Sequence, residues 1–264
     1  ATHEAKVHTS WINPNADYDA ALRQFVGRIL DPDVSPAFLT EFRVFQRRIG
    51  RYGFFNALSQ CLLKITMPGA PDIYQGTELW DFSLVDPDNR RPVDYEKRRR
   101  MLGELLERAC EPKRRGDLAA ELVDAMADGR IKLYVTALAL RCRRAHPGLF
   151  SAGSYAPVEA MGPKAEHVFS FARTQGEHAA LVAAPRLVAK LMPDPAGLPH
   201  GPNVWGETML PLPEELAGRS WHSLFTGETL TTVQHQGRPA LPAALVFGRF
   251  PVALLLADNA QAPR

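Results

Sequence analysis

Apolar residues in the first quarter of the chain recur every three or four positions and predict three amphipathic helices. The series are Leu22, Phe25, Val26, Ile29 and Leu30; Phe38, Phe42, Phe45 and Ile49; and Phe54, Leu58, Cys61, Leu62 and Ile65. Ser35-Pro36 is a favourable start for the second helix, because serine accepts a free backbone N–H and proline fits the first turn. Similar spacing predicts further helices at about 95–110, 116–127 and 130–145.

From residue 151 onward, short apolar segments alternate with glycine and proline, which predicts antiparallel strands. The segments are residues 168–172, 180–184, 221–225 and 245–256, and Thr226-Gly227-Glu228 predicts a turn. Prolines clustered between positions 193 and 213 predict a long surface loop over 192–218. We therefore divide the chain into a mainly helical domain, 1–150, and a β domain, 151–264.

The composition is that of a folded globular protein and argues against nucleic-acid binding. Apolar residues make up 45% and charged residues 23% of the 264 positions. The net charge of +2 is too small to drive binding to a phosphate backbone. The basic run at 97–100 lies among Glu96, Glu104 and Glu107 at helical spacing, which predicts a solvated, salt-bridged face.

Cysteines, histidines and apolar runs provide no metal or membrane signal. The chain has three cysteines, Cys61, Cys110 and Cys142, and none of them forms a C-x-x-C pair. This pattern predicts neither disulfides nor a zinc site, and it favours a reducing, cytoplasmic location. His3 and His8 are five residues apart rather than four, so they do not match the H-E-x-x-H zinc motif. No apolar run reaches the roughly 20 residues that span a bilayer, and the first residues do not resemble a signal peptide. We therefore expect neither a membrane partner nor secretion.

Residues 67–94 hold the densest candidate chemistry. A helix, a proline and glycine turn, a short buried strand at 72–76 and a polar loop form one step of an α/β barrel, whose sites lie at the carboxyl ends of the strands. Residues 86–94 then place three carboxylates and two guanidiniums close together. Such a cluster is either an ion-pair network that holds the loop or a polar platform for sugar hydroxyls, and the residues alone leave both open.

Several segments resemble a known family. Residues 68–78 resemble the last conserved segment of the α-amylase superfamily, G-x-P-x-I-Y-x-G-x-E, which lies at barrel strand eight. The longer string 71–95 resembles one family within it, the maltooligosyltrehalose synthases. Residues 3–15 and 219–230 are similar to the same family, so the resemblance extends over nearly the whole chain.

The resemblance implies an α/β plus β fold: the C-terminal end of a (β/α)8 TIM barrel, with its last strand and flanking helices, followed by an antiparallel β-sandwich. It also implies a (1→4)-α-D-glucan 1-α-D-glucosylmutase that converts the reducing-end α-1,4 bond of a maltooligosaccharide to an α,α-1,1 bond without metal or organic cofactor. The family's three catalytic carboxylates lie outside this region, and a complete barrel takes about 250 residues. We therefore expect no catalytic residue here, an inactive isolated chain, and a partner that is the missing N-terminal part of the barrel.

Substrate-binding residues also follow from the resemblance. In the loop after strand eight they are Tyr74, Gln75, Glu78, Asp86, Asp88, Asn89, Arg90 and Arg91, and Lys6 and His8 are further candidates that could equally be structural. Trp80 either stacks on a sugar or packs in the core. The alternatives are a non-catalytic carbohydrate-binding or scaffolding module and a different amylase-like glucan hydrolase. If the barrel is partial, the helices at 20–65 and the strand at 72–76 should expose apolar faces.

Overall fold

The computed structural model describes residues 2–84, 88–194 and 196–258. These residues form two compact units, one ending at Arg51 and the other beginning at Tyr52. Asp86, one of the predicted site residues, lies outside the described residues.

The first unit is helical. It contains α1 (Thr2–Ala5), α2 (Ala16–Ile29) and the first half of α3 (Pro36–Thr66). Asn15 caps α2, because its side chain accepts a 3.1 Å hydrogen bond from the backbone N–H of Tyr18. Asp19 Oδ2 lies 2.9 Å from His3 Nε2, which links the start of the chain to α2.

Large apolar side chains of this unit are exposed, as the sequence predicts for a partial barrel. Six of them on α2 and α3 are between 41% and 59% exposed: Phe25, Val26, Phe38, Phe42, Phe45 and Ile49. We call these six the exposed apolar residues of α2 and α3. The prediction is wrong for the helix at 54–65, because Phe55, Leu58 and Ile65 there are fully buried in the core of the second unit.

The second and third predicted helices are one continuous helix, α3, which runs through Gly50 and Gly53. Glycine inside a helix costs roughly 1 kcal/mol relative to alanine, so two glycines weaken a helix without ending it. The sequence interpretation of two separate helices was therefore wrong at this point.

Four further helices of the second unit surround part of its core. They are α4 (Tyr95–Ala109), α5 (Pro112–Asp124), α6 (Arg130–Ala145) and α7 (Pro147–Ser151). Leu105, Leu122 and Val135 are among their buried residues. The helices predicted at about 95–110, 116–127 and 130–145 are thus confirmed, with α5 beginning four residues earlier.

Beyond α7 the chain forms two antiparallel sheets. The strands are β1 (Ser154–Pro157), β2 (Val168–Gln175), β3 (His178–Pro185), β4 (Met209–Pro211), β5 (Ser220–Ser223), β6 (Thr229–Thr231), β7 (Val233–His235), β8 (Arg238–Pro242) and β9 (Ala253–Ala257). The larger sheet has the order β1-β2-β3-β9-β5-β6 and the smaller has the order β4-β8-β7. Three short helices complete this region: α8 (Val188–Leu191), α9 (Pro202–Trp205) and α10 (Ala243–Val246).

Two details of the β region differ from the sequence interpretation. The segment 192–218, predicted as a surface loop, contains α9 and β4 and buries Trp205, Leu210 and Leu216. Its prolines interrupt regular structure, but its large apolar residues still pack into the core. The segment predicted as a strand at 245–256 contains the end of α10 and then β9.

Helices and sheets of the second unit share one hydrophobic core, which includes Leu62, Tyr134, Phe171 and Leu254. The buried hydroxyl of Tyr134 donates a 2.8 Å hydrogen bond to the carbonyl of Phe225, and burial raises the pKa of Tyr134 to about 12. The change from helix to strand falls near residue 150, as predicted, and a domain boundary there stays a prediction. None of the helices in the described residues is both long and apolar enough to cross a membrane.

Glu121 joins three of these helical segments and makes stability depend on pH. Its carboxylate accepts hydrogen bonds from Arg108 at 2.6 Å and Arg130 at 2.9 Å, which together lower the pKa of Glu121 from 4.5 to about 2. A lowered pKa stabilises the fold above pH 4.5, and this stabilisation is lost as pH falls toward 2. We expect Glu121→Gln to lower stability at pH 6 and to remove part of the loss between pH 5 and pH 2.5.

Urea titrations at several pH values measure this difference. Glu96→Gln is the matched control, because Glu96 pairs with Arg99 on an exposed surface of α4. The explanation is wrong if Glu121→Gln follows the wild-type dependence on pH.

Candidate functional site

In its described residues, 67–84 and 88–94, the segment between α3 and α4 has no regular strand, and basic side chains hold its backbone. Four basic side chains donate hydrogen bonds to backbone carbonyls that are three or four residues apart along this segment. Arg143 donates to Gly69 at 2.5 Å, Lys64 to Asp72 at 2.8 Å, Arg98 to Gly76 at 2.9 Å and Lys132 to Leu79 at 3.1 Å. Gly76 has a φ of +89°, which favours glycine at the turn. These bonds fix a segment that no neighbouring strand supports.

The barrel strand predicted at 72–76 is therefore corrected. Residues 71–74 form no strand, and a turn begins at residue 75. A strand of a parallel barrel exists only through hydrogen bonds to its neighbours, and every strand pair in the described residues is antiparallel. Tyr74 is 44% exposed on this segment, as expected for an unpartnered face.

Glu78 is held by an ion pair rather than left free. Its carboxylate accepts a 2.9 Å hydrogen bond from Nε of Arg98, and the same guanidinium donates to the carbonyls of Gly76 and Asp94. Asp94 caps α4 by accepting from the backbone N–H of Lys97 at 2.9 Å. Arg98 thus fastens the turn at Gly76 to the start of α4.

This role of Arg98 corrects the interpretation of the basic run. The sequence predicted a solvated face for residues 97–100, but the Arg98 side chain is only 17% exposed. Helical spacing identified neighbouring charges on α4 itself and could not identify a partner 20 residues earlier in the chain. Arg99, by contrast, is 73% exposed and pairs with Glu96, as the spacing predicts.

Three predicted site residues, Asp88, Asn89 and Arg91, lie in or directly after the turn 88–90. Asp88 accepts a 2.9 Å hydrogen bond from the backbone N–H of Leu84 and forms an ion pair with Arg91. The side-chain oxygen of Asn89 is buried and has no hydrogen-bond partner among the described residues. An unpaired buried oxygen is costly, so Asn89 Oδ1 is a hydrogen-bond acceptor that the described residues leave unused.

A small concave site connects these elements. It has a volume of about 150 Å³, and its lining includes Gln75, Asp81, Asn89, Arg91 and Arg98. Hydrogen bonds from Ser83 lower the pKa of Asp81, so this wall of the site carries a negative charge. Amide, carboxylate and guanidinium groups around one cavity can bind several hydroxyls at once.

Other predicted residues are not among those that line this cavity. Tyr74 lines a different groove of about 240 Å³ with Cys61 and Lys132, and Arg90 is an exposed member of the turn 88–90. Lys6 and His8 belong to the first unit, where the His8 ring lies 4.9 Å from the ring of Tyr18. Their contribution to substrate binding stays a prediction.

Trp80 packs against the protein. Its ring stacks on Phe54 with centroids 4.6 Å apart, and its Nε1 donates a 2.7 Å hydrogen bond to the carbonyl of Met126. These contacts favour the core-packing interpretation over stacking on a sugar. No group of three potential metal ligands occurs in the described ranges, and His3 and Glu4 contact Asp19 and Trp11 instead.

Sequence reasoning did not select Asp81, Arg98 or Lys132, which the fold brings to this segment. Asp81 was within the family string, and its position directly after the turn was a usable signal. Arg98 and Lys132 lie on helices whose contacts with 76–79 are long-range, so no spacing in the sequence identifies them.

Comparison with known proteins extends over almost the entire chain. Curated relatives named maltooligosyl trehalose synthase, from two strains of Mycobacterium tuberculosis, are 38% identical over 260 residues, which is 98% of this chain and 28% of theirs. This chain is a homologue of the C-terminal part of maltooligosyltrehalose synthases. No protein-family profile matches it.

Solved structures agree with this relationship. Maltooligosyltrehalose synthase from Arthrobacter ramosus is 32% identical with a TM-score of 0.71, and the match covers 97% of this chain and 29% of that one. A hypothetical synthase from Sulfolobus tokodaii is 25% identical with a TM-score of 0.61, covering 97% of this chain and 27% of its own. The chain therefore spans less than a third of the length of the synthases it matches.

Proposed function

We propose that this chain is the C-terminal part of a (1→4)-α-D-glucan 1-α-D-glucosylmutase and contributes a substrate-binding loop to its active site. The observation that carries the proposal is the buried, unpaired oxygen of Asn89, which lies in the concave site with Gln75, Asp81 and Arg91. This site lies on the segment whose sequence resembles the maltooligosyltrehalose synthases most specifically.

The chemistry assigned to the site is binding, and the bond exchange is assigned to groups outside this chain. Asn89 accepts a sugar hydroxyl, Arg91 donates to sugar oxygens, and Asp81 accepts a second hydroxyl. A retaining mechanism needs a carboxylate nucleophile and a carboxylic acid on either side of the glycosidic bond. We assign both to the N-terminal part of the synthase, and without them the isolated chain is inactive. Several fixed hydrogen bonds orient the released glucose so that its anomeric hydroxyl, rather than water, attacks.

The N-terminal part of the synthase is the proposed partner. The exposed apolar residues of α2 and α3 support this assignment, because side chains such as Phe42 and Phe45 are partly exposed here and such surfaces mark interfaces. The matched synthases contain more than two thirds of their length outside the region aligned here.

Finer features of the fold belong to the same proposal. We propose that residues 72–76 become the last strand of a (β/α)8 barrel when parallel neighbours are supplied, and that the two antiparallel sheets form a β-sandwich. A cytoplasmic location is also proposed, which is supported by the unpaired state of Cys61, Cys110 and Cys142.

Reconstitution tests the proposed function. Maltopentaose is incubated with this chain, with a separately produced N-terminal part of a related synthase, and with both together. We expect only the mixture to remove reducing ends while the length of the glucan stays unchanged. Release of glucose or maltose would instead indicate a glucan hydrolase. Glucan binding without any turnover of the mixture would indicate a binding module.

Two variants connect the result to the proposed site and partner. Asn89→Ala is expected to raise KM about fivefold, since a hydrogen bond contributes about 1 kcal/mol. Asn203→Ala on α9 is the matched control, because Asn203 is exposed. Phe42→Asp is expected to weaken assembly of the two parts while leaving the helical signal of this chain intact.

A further inference from the structure

Lys132 is the third residue of α6, and its amine contacts the loop that carries Glu78 and Asp81. Nζ donates a 3.1 Å hydrogen bond to the carbonyl of Leu79 and lies 5.8 Å from the centroid of the Trp80 ring. Among the ion pairs of the described residues, none includes Lys132. The nearest groups that its ammonium contacts are therefore a carbonyl and an aromatic face, not a carboxylate at ion-pair distance.

The surroundings of Lys132 are partly buried. Burial lowers the pKa of Lys132, and the acidic groups of Cys61, Asp81 and Glu78 oppose this effect. A half-buried ammonium costs free energy unless its hydrogen bonds replace water. The bond to the Leu79 carbonyl and the contact with Trp80 provide this replacement, so the position of the loop and the burial of Lys132 depend on each other.

Two more contacts hold Leu79 and Trp80, the loop residues that Lys132 contacts, against the turn before α6. Trp80 Nε1 donates to the carbonyl of Met126 at 2.7 Å. Gly129 has a φ of +82°, and a Cβ built there would lie 3.2 Å from the backbone nitrogen of Trp80. The absence of a side chain at Gly129 thus allows the close approach that brings Leu79 to Lys132.

Leu79 and Trp80 lie between Glu78 and Asp81 in the chain. Glu78 is fixed by Arg98 on one side, and Asp81 lines the concave site on the other. Resting on the proposed function, we propose that Lys132 is a positioning residue: it fixes Leu79 and Trp80 so that Asp81 faces the substrate. No contact between Lys132 and the substrate is required.

Hydrogen exchange in this chain tests the positioning directly and needs no activity. The backbone N–H of Ser83 donates to Asp81 Oδ1 at 2.9 Å, so its exchange rate reports the local geometry. We expect Lys132→Met to accelerate exchange at Ser83 about tenfold or more while the amides of β2 and β3 exchange as in the wild type. Lys132→Arg, which can still donate to a carbonyl, should restore most of the protection. Lys97→Met is the control, because Lys97 is an exposed lysine of α4.

Kinetics of the reconstituted mixture add a second readout. A displacement of about 1 Å at a substrate-positioning group can lower a rate about 100-fold, so Lys132→Met is expected to reduce kcat by roughly 10- to 100-fold, more than it changes KM. Lys132→Arg should recover most of kcat.

The possible outcomes separate this proposal from the proposed function. If the wild-type mixture is inactive, the proposed function fails, and exchange at Ser83 still decides the role of Lys132. Unchanged exchange at Ser83 in Lys132→Met would overturn the positioning role. Equal acceleration at Ser83 and in the sheet would overturn it as well, because the effect would then be a general loss of stability.

Discussion

Replacing Arg173 with leucine is expected to destabilise the second unit by about 2–4 kcal/mol. Arg173 is 1% exposed, and its guanidinium donates to the carbonyls of Thr66, Phe150, Gly153 and Ser154 at 2.8–3.2 Å. Leucine fills part of the space but leaves these buried carbonyls without a donor. Burial lowers the pKa of Arg173, which shows a desolvation cost that the substitution relieves, so the net loss is smaller than the sum of the lost bonds.

Urea titration of the variant measures this loss. Arg99→Leu is the matched control, because Arg99 is 73% exposed and pairs with one exposed glutamate. We expect the control to change the free energy of unfolding by less than about 0.5 kcal/mol. A variant of Arg173 as stable as this control would show that the four carbonyls find other donors.

Trp205→Ala is expected to cost about 3–5 kcal/mol, because it removes a large aromatic side chain from the core. Trp205 is fully buried, stacks on Phe247 with ring centroids 4.6 Å apart and donates a 3.1 Å hydrogen bond to the carbonyl of Pro199. Pro199 and Phe247, which contact Trp205, are themselves buried, so we expect most of the cavity to remain.

Thermal or urea unfolding, monitored by circular dichroism, measures the effect of the Trp205 substitution. Trp11→Ala is the control, because Trp11 is 69% exposed. If both variants lose the same stability, the segment 192–218 is not part of the core, and the surface loop expected from its prolines would be correct after all.

Helical spacing predicted most of the helices, because the spacing of apolar residues along one helix face is a local property of the sequence. It failed at Gly50, where two series join in one helix, and at 192–218, where prolines concealed a buried tryptophan. The strand at 72–76 failed for a different reason. No described strand pairs with this segment, and an apolar sequence does not form a strand without hydrogen bonds to a neighbouring strand.

The candidate site was predictable in part. The family string pointed to Gln75, Asn89 and Arg91, and the fold brings these three to one cavity. The fold places Tyr74 in a different groove, because the chain turns at residue 75, directly after Tyr74.

By itself, the sequence determined the relationship to maltooligosyltrehalose synthases, the helical first part and the antiparallel strands, because family motifs and the spacing of apolar residues are local properties of the sequence. Only the tertiary structure decided that Arg98 pairs with Glu78 and that Lys132 holds the carbonyl of Leu79. The physical reason is that the two residues of the first bond are 20 positions apart and those of the second are 53 apart. Such residues come into contact only through the way the helices pack around the loop.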